Sequence, residues 1–262
     1  MTETILHTEQ YLRLGTAVAA AAVGAVIGAT FKRVHHLGLC VMISYAAGAL
    51  LTVAFADLLP ESAALSGWPK ALLSALLGYG CFHFINRHVF HLCPACSATH
   101  NEINFKALSG TMIAALALHS FMDGLAVYGG EMAGHAHGAS HAHEAGEGAL
   151  VLLAVAVHKL PEGMALTLVA RASGAGRAAA LLLAIGLESV TTLSAGYFGA
   201  WALPAGSPAL GACLGFIAGG FVFIVLHALL SELYRHHPRV TVLSVLAGGG
   251  SILAAAAVFG AH

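Results

Sequence analysis

Apolar residues run along this chain in eight long stretches separated by short polar segments: roughly 14–31, 39–59, 71–85, 108–129, 149–170, 178–203, 209–230 and 240–259. Most approach the ~20 residues with which an apolar helix crosses a bilayer. Few strand-like alternations compete with them. The pattern predicts an all-α membrane protein of eight transmembrane helices, with residues 1–262 forming a single transmembrane domain.

The polar positions inside these stretches carry a repeat. Residues 119–124 read HSFMDG and residues 158–163 read HKLPEG: a histidine, a carboxylate four positions later, then glycine. A second pair is AGALLTVAFADLLPE in span two and AGGFVFIVLHALLSE in span seven. If the spans alternate in direction, each pair runs in opposite senses. Paired segments of opposite direction suggest the inverted-repeat architecture of secondary transporters.

Composition agrees with the pattern. The chain is 58% hydrophobic and 9% charged, where soluble domains carry about 25% charged residues. Thirty-one glycines suit close helix packing in lipid. The net charge of -1 gives no electrostatic case for nucleic acid. Five cysteines, mostly in apolar runs, give no disulfide framework. The start, MTETILHTEQ, lacks the features of a secretory signal. Lys32, Arg33, Arg87, Lys106, Arg171, Arg177, Arg235 and Arg239 follow spans one, three, five and seven, whereas only Arg13 and Lys70 lie on the other side. The positive-inside rule then places both termini outside the cytoplasm.

Asp57, Asp123, Lys159, Glu162 and Glu188 fall within spans. An unpaired charge at mid-bilayer costs about 3 kcal/mol or more, so these residues are expected to face the bundle interior with partners. Positions i and i+4 share a helix face. His119 therefore projects with Asp123, and His158 with Glu162, so that two imidazoles and two carboxylates can converge on one divalent cation. That donor set suits zinc, iron or manganese better than calcium or magnesium. Pro161 removes a backbone hydrogen bond beside these ligands, as in the broken helices that line ion paths. Glu188 is either a further ligand or the counter-ion of Lys159. Ser120 either lends an oxygen to the metal or bonds back to its own helix. Lys159 cannot ligate while charged, and its ammonium has Glu188, Asp123 and Glu162 as available partners. Asp57 and Glu61, near the outer end of span two, form a possible entrance. His227 and His83 could touch the path, but are expected as satisfied core histidines.

Two loops carry further donors. Residues 130–148, GEMAGHAHGASHAHEAGEG, present His135, His137, His141 and His143 in a flexible tract placed outside. Residues 86–106 contain HLCPACSATH, in which His91, Cys93, Cys96 and His100 form a cytoplasmic metal loop. Its CxxC spacing suits zinc.

Together these segments resemble the Zrt/Irt-like, or ZIP, divalent-metal transporters over nearly the whole chain. The fourth- and fifth-span motifs HSFMDG and HKLPEG carry the resemblance most specifically, and the second- and seventh-span stretches support it. The resemblance implies a ZIP-like bundle of eight spans with both termini outside, often dimeric. It implies His119, Asp123, His158 and Glu162 as main-site ligands, with Ser120, Lys159 and Glu188 where second-site ligands are found. The family's site is often binuclear; here Ser120 replaces an asparagine that is common in the family and Lys159 an acidic or amide residue, so that Lys159 is expected to stand in place of a second metal.

The expected function is import of a divalent transition metal, zinc first and otherwise iron, manganese or cadmium, across a plasma or inner membrane by alternating access. The metal is substrate, and no obligatory cofactor is expected. No ATP-binding motif is found. A membrane metal sensor and an intramembrane zinc hydrolase are the rivals; HExxH is absent from the sequence, and no enzyme is expected.

Overall fold

The computed structural model describes residues 2–30, 36–88, 105–136, 141–172, 174–204, 206–230 and 238–259. These residues are almost entirely helical and form eight helices: α1 (Thr2–Thr30), α2 (36–66), α3 (Trp68–His88), α4 (Phe105–Ala136), α5 (His141–Ala172), α6 (Arg177–Ala202), α7 (208–230) and α8 (Pro238–Phe259). Each contains one of the expected apolar stretches. Six segments are long and apolar enough to cross a membrane: Gln10–Thr30, Ser44–Ser66, Val151–Leu168, Arg177–Ala202, Pro208–His227 and Pro238–Val258. The chain is thus a multi-pass membrane protein. α3 is outside that set; it carries Pro69, Lys70, His83, Asn86 and Arg87 along its 21 residues. α4 is outside it as well.

Helix ends follow local chemistry. Gly67 separates α2 from α3 with φ of 85°, a left-handed value that L side chains disfavour. Ser207 caps α7 by accepting a hydrogen bond from the Leu210 amide at 3.1 Å, with Pro208 in the first turn. Two helices change winding within their length. α2 passes from α-helix His36–Val53 through a π-helical segment, Ala54–Leu58, to α-helix Leu59–Ser66. α7 passes from α-helix Pro208–Phe223 into a π-helical segment, Ile224–Leu230.

Helices pair where glycine lets backbones touch. A Cβ on Gly24 of α1 would lie 1.9 Å from the Leu160 carbonyl oxygen of α5, and one on Gly28 would lie 2.8 Å from that of Met164. The register advances in the same sense on both helices, so α1 and α5 are parallel. Close approaches of the same kind pair α2 with α8 through Gly48 and Val245, α3 with α7 through Gly219 and Ala75, and α4 with α6 through Gly124 and Thr192. These four pairs are among the most extensive contacts in the molecule.

The pairings repeat. Gly48 meets the Val245 carbonyl at 2.0 Å, and Gly219 meets that of Ala75 at 1.9 Å. Gly248 meets the Tyr45 carbonyl at 1.9 Å, and Gly78 that of Phe216 at 2.0 Å. Gly163 meets the Ala21 carbonyl at 2.1 Å, and Gly124 that of Thr192 at 2.4 Å. The displacement that separates Ala47 from Ala218 in the sequence motif also separates Gly48 from Gly219, Tyr45 from Phe216 and Ala21 from Thr192. Contacts therefore exchange α1 with α6, α2 with α7, α3 with α8, and α4 with α5.

This pairing divides the helices into two groups. α1, α4, α5 and α6 pack mainly on one another, as do α2, α3, α7 and α8. Between the groups the main contacts are α2 with α5, α5 with α8, and α4 with α7. Leu14, Leu50, Val53, Val155, Leu214 and Phe221 belong to one buried apolar core that both groups share. In the first group, Arg171 at the end of α5 donates to the Gly28 carbonyl at the end of α1, 3.0 Å away. A cation there offsets the negative helix terminus.

The tract 130–148 differs from the expected flexible loop. α4 continues through Ala136 and α5 begins at His141. Alanine and glutamate, frequent in this tract, are strong helix formers. His135, His141 and His143 therefore occupy helical positions, while His137 lies outside the described residues. His91, Cys93, Cys96 and His100 also lie outside them.

Candidate metal centre

α4 and α5 lie side by side in the first group. The i, i+4 spacing stacks His119 over Asp123 on α4 and His158 over Glu162 on α5, as the helix repeat requires. All four side chains are buried, and one ligand atom from each lies within 4.8 Å of the other three. This group can hold a metal ion. The two imidazoles meet edge to face, their centroids 4.7 Å apart and their planes at 88°, with the Nε2 atoms facing each other. His119 Nε2 lies 3.9 Å from Asp123 Oδ1.

Several buried atoms of this group have no hydrogen-bond partner: both Nδ1 atoms, Asp123 Oδ1 and Glu162 Oε1. Buried polar groups are normally satisfied, and each one left without a partner costs about 1–3 kcal/mol. A cation among these donors would offset part of that cost.

Beside the four ligands stands Lys159, fully buried. Its Nζ lies 2.9 Å from Asp123 Oδ2, 2.9 Å from Glu162 Oε2 and 2.6 Å from Glu188 Oε2. It also donates to Ser120 Oγ at 2.7 Å. Glu188 comes from α6 and is held as the counter-ion of the lysine. Ser120 donates to Glu188 Oε2 at 2.9 Å and thus does not spend its hydroxyl on its own helix. Lys159 therefore bridges α4, α5 and α6 through three carboxylates and a hydroxyl.

Thr191 and Thr192 complete the polar shell. Thr191 Oγ1 lies 2.7 Å and Thr192 Oγ1 3.1 Å from Ser120 Oγ. Neither was singled out from the sequence, although LESVTT places both one turn from Glu188. Phe221 on α7 closes another side: its ring is 5.9 Å from that of His119, and the residue is fully buried.

The remaining site residues stand apart from this cluster. Asp57, within the π-helical segment of α2, and Glu61, one turn after it, are both half-buried. His83 on α3 and His227 on α7 are exposed, contrary to the expectation of core histidines. His227 lies in the π-helical segment, and the wider turn presents it outside the packed face. Glycines after the carboxylates have a packing role: Gly124 lets α6 approach α4, and Gly163 lets α1 approach α5.

Fold and site together describe an all-helical, multi-pass membrane protein with a buried imidazole–carboxylate cluster able to hold a metal ion. A scan against protein-family models matches none, and a search of curated proteins matches none.

Proposed function

We propose that the chain is a ZIP-type transporter that moves a divalent transition metal, zinc first, across a cell membrane into the cytoplasm by alternating access. The observation that carries the reading is the convergence of His119, Asp123, His158 and Glu162 within 4.8 Å, buried in adjacent helices. Charge supports a divalent substrate. With the carboxylates ionised and the imidazoles neutral, Asp123, Glu162 and Glu188 outweigh the ammonium of Lys159 by two negative charges. One divalent ion cancels them. Lys159 takes the place of a second metal, so the site carries one ion per cycle.

The helix grouping supports the movement. The partners of Lys159 lie on α4, α5 and α6, whereas α7 of the second group meets His119 with an apolar side chain, Phe221. Displacement of the first group against the second would expose the cluster alternately to the two sides. All eight helices cross the bilayer in this reading, with both termini outside. The exposed Tyr11, Trp68 and Trp201 then lie near the outer interface, where aromatic residues anchor helices. The histidine tract at 135–143 gathers metal outside, and Asp57 and Glu61 form the entrance.

The test is zinc uptake by proteoliposomes loaded with a metal-sensitive dye. Wild type should show saturable uptake, and His158→Ala or Glu162→Ala should abolish it while inserting normally. Metal binding with no wild-type uptake would make the protein a sensor; unchanged kinetics in both variants would remove these residues from the path.

A further inference from the structure

The second helix group contains donors that the proposed path has not used. Tyr79 and His83 share a face of α3, and His227 projects from α7. All three meet at Phe223. The His227 ring lies flat against Phe223, with centroids 4.9 Å apart and planes at 6°. His83 and Tyr79 meet Phe223 edge-on at 5.8 and 5.3 Å. The Tyr79 hydroxyl lies 3.4 Å from both ring nitrogens of His227. This is long for a hydrogen bond, but it places the oxygen beside anything bound to the imidazole. Phe223 is buried in the core and Tyr79 packs against it, but both histidines are exposed, so core packing accounts for the two aromatic rings and not for the imidazoles beside them.

The winding of α7 is a second observation. The helix turns from α to π directly after Phe223, and His227 lies inside the π-helical segment. Such insertions cluster at functional sites. The π-helical segment of α2 occupies the corresponding place in the repeat and carries Asp57. Each π turn thus presents one metal-ligating type of side chain, a carboxylate in one and an imidazole in the other.

We infer that Tyr79, His83 and His227 form a second transition-metal station, which receives the ion after it leaves His119 and passes Phe221. This rests on the transport reading above. Two imidazoles and a phenol oxygen, with water completing the shell, suit zinc or another borderline-soft divalent ion. The station lies on the same helix pair as Phe221, further along α7 and toward the end that bears Arg87. By charge bias, that end faces the cytoplasm. A site with fewer anionic donors than the main cluster holds metal more weakly, as a release step requires.

Zinc binding to the purified full-length protein by equilibrium dialysis tests the inference, alongside uptake by proteoliposomes. His83→Gln/His227→Gln should lose one zinc per chain, both in wild type and in His119→Ala. Its maximal uptake rate should fall several-fold, with half-saturation by external zinc unchanged. Tyr79→Phe, which removes one oxygen and little volume, should weaken binding at this station several-fold. If neither the zinc count nor the affinity moves in any of these variants, the cluster is aromatic packing and the inference is overturned. If His119→Ala loses no zinc but the double variant does, the station stands and the main-cluster reading fails.

Discussion

At the scale of single residues, Lys159 is the least expected feature. A fully buried ammonium is tolerated only with strong compensation, and here three carboxylates and a hydroxyl surround it. It has three donors and no lone pair, so it can replace a metal but not bind one. Lys159→Asp should therefore admit a second ion. Zinc counted in the His83→Gln/His227→Gln background, with the cysteine and histidine tracts removed, should rise from about one per chain to about two. Two ions with Lys159 intact, or no gain in the variant, would refute the substitution. Lys159→Ala should be less stable than wild type, because three carboxylates would then face one another without a cation. Breaking a buried pair from one side typically costs about 3–5 kcal/mol, and the loss would appear as a lower melting temperature in detergent.

At the scale of elements, the pairings depend on glycine at particular positions rather than on glycine content. Gly48 faces the Val245 carbonyl, whereas Gly80 and Gly186 have open space around them. Gly48→Leu should force α2 from α8 and destabilise the protein by about 1–3 kcal/mol or more. Gly186→Leu should be close to neutral. Thermal unfolding of the two variants in one detergent distinguishes packing contacts from general helix propensity; equal melting temperatures would show that the close approach is not energetically important. The i, i+4 pairs were legible because helical periodicity alone places His119 with Asp123 and His158 with Glu162. The π-helical segments were not legible. Nothing in AFADL or IVLHALL signals a wider turn, because neighbouring helices decide whether the extra residue is accommodated.

At the scale of the whole molecule, the pairing of helices follows a two-fold exchange that the AG…LL.E motif only hinted at. If the spans alternate in direction, α1 and α6 run oppositely, as do α2 and α7, and the repeat is inverted. With eight spans both termini then share one side of the membrane, which the excess of Lys and Arg on the other side predicts to be the outside. A single cysteine introduced at Thr2, with the native cysteines replaced, should react with an impermeant thiol reagent on intact cells. Labelling only after permeabilisation would reverse the orientation and, with it, the assignment of entrance and release ends. The extension of α4 to Ala136 and the start of α5 at His141 also place His135, His141 and His143 in two long helices.

The sequence by itself determined the helices, their approximate limits and the main donor pairs, because bilayer thickness and the 3.6-residue turn act on contiguous residues. It determined that Lys159 needs anionic partners, because an ammonium among apolar residues has no other means of support. Only the tertiary structure decided that Asp123, Glu162 and Glu188 all supply that support, that Ser120 and two threonines join them, and that Glu188 stands on the lysine's side of the cluster. It alone decided that α1 lies on α5 and α2 on α8, and that the exposed His83 and His227 meet at Phe223, on the edge of the packed core. Those outcomes depend on which backbone a glycine admits and on where a helix changes its winding. Both are set by contacts between segments far apart in the chain.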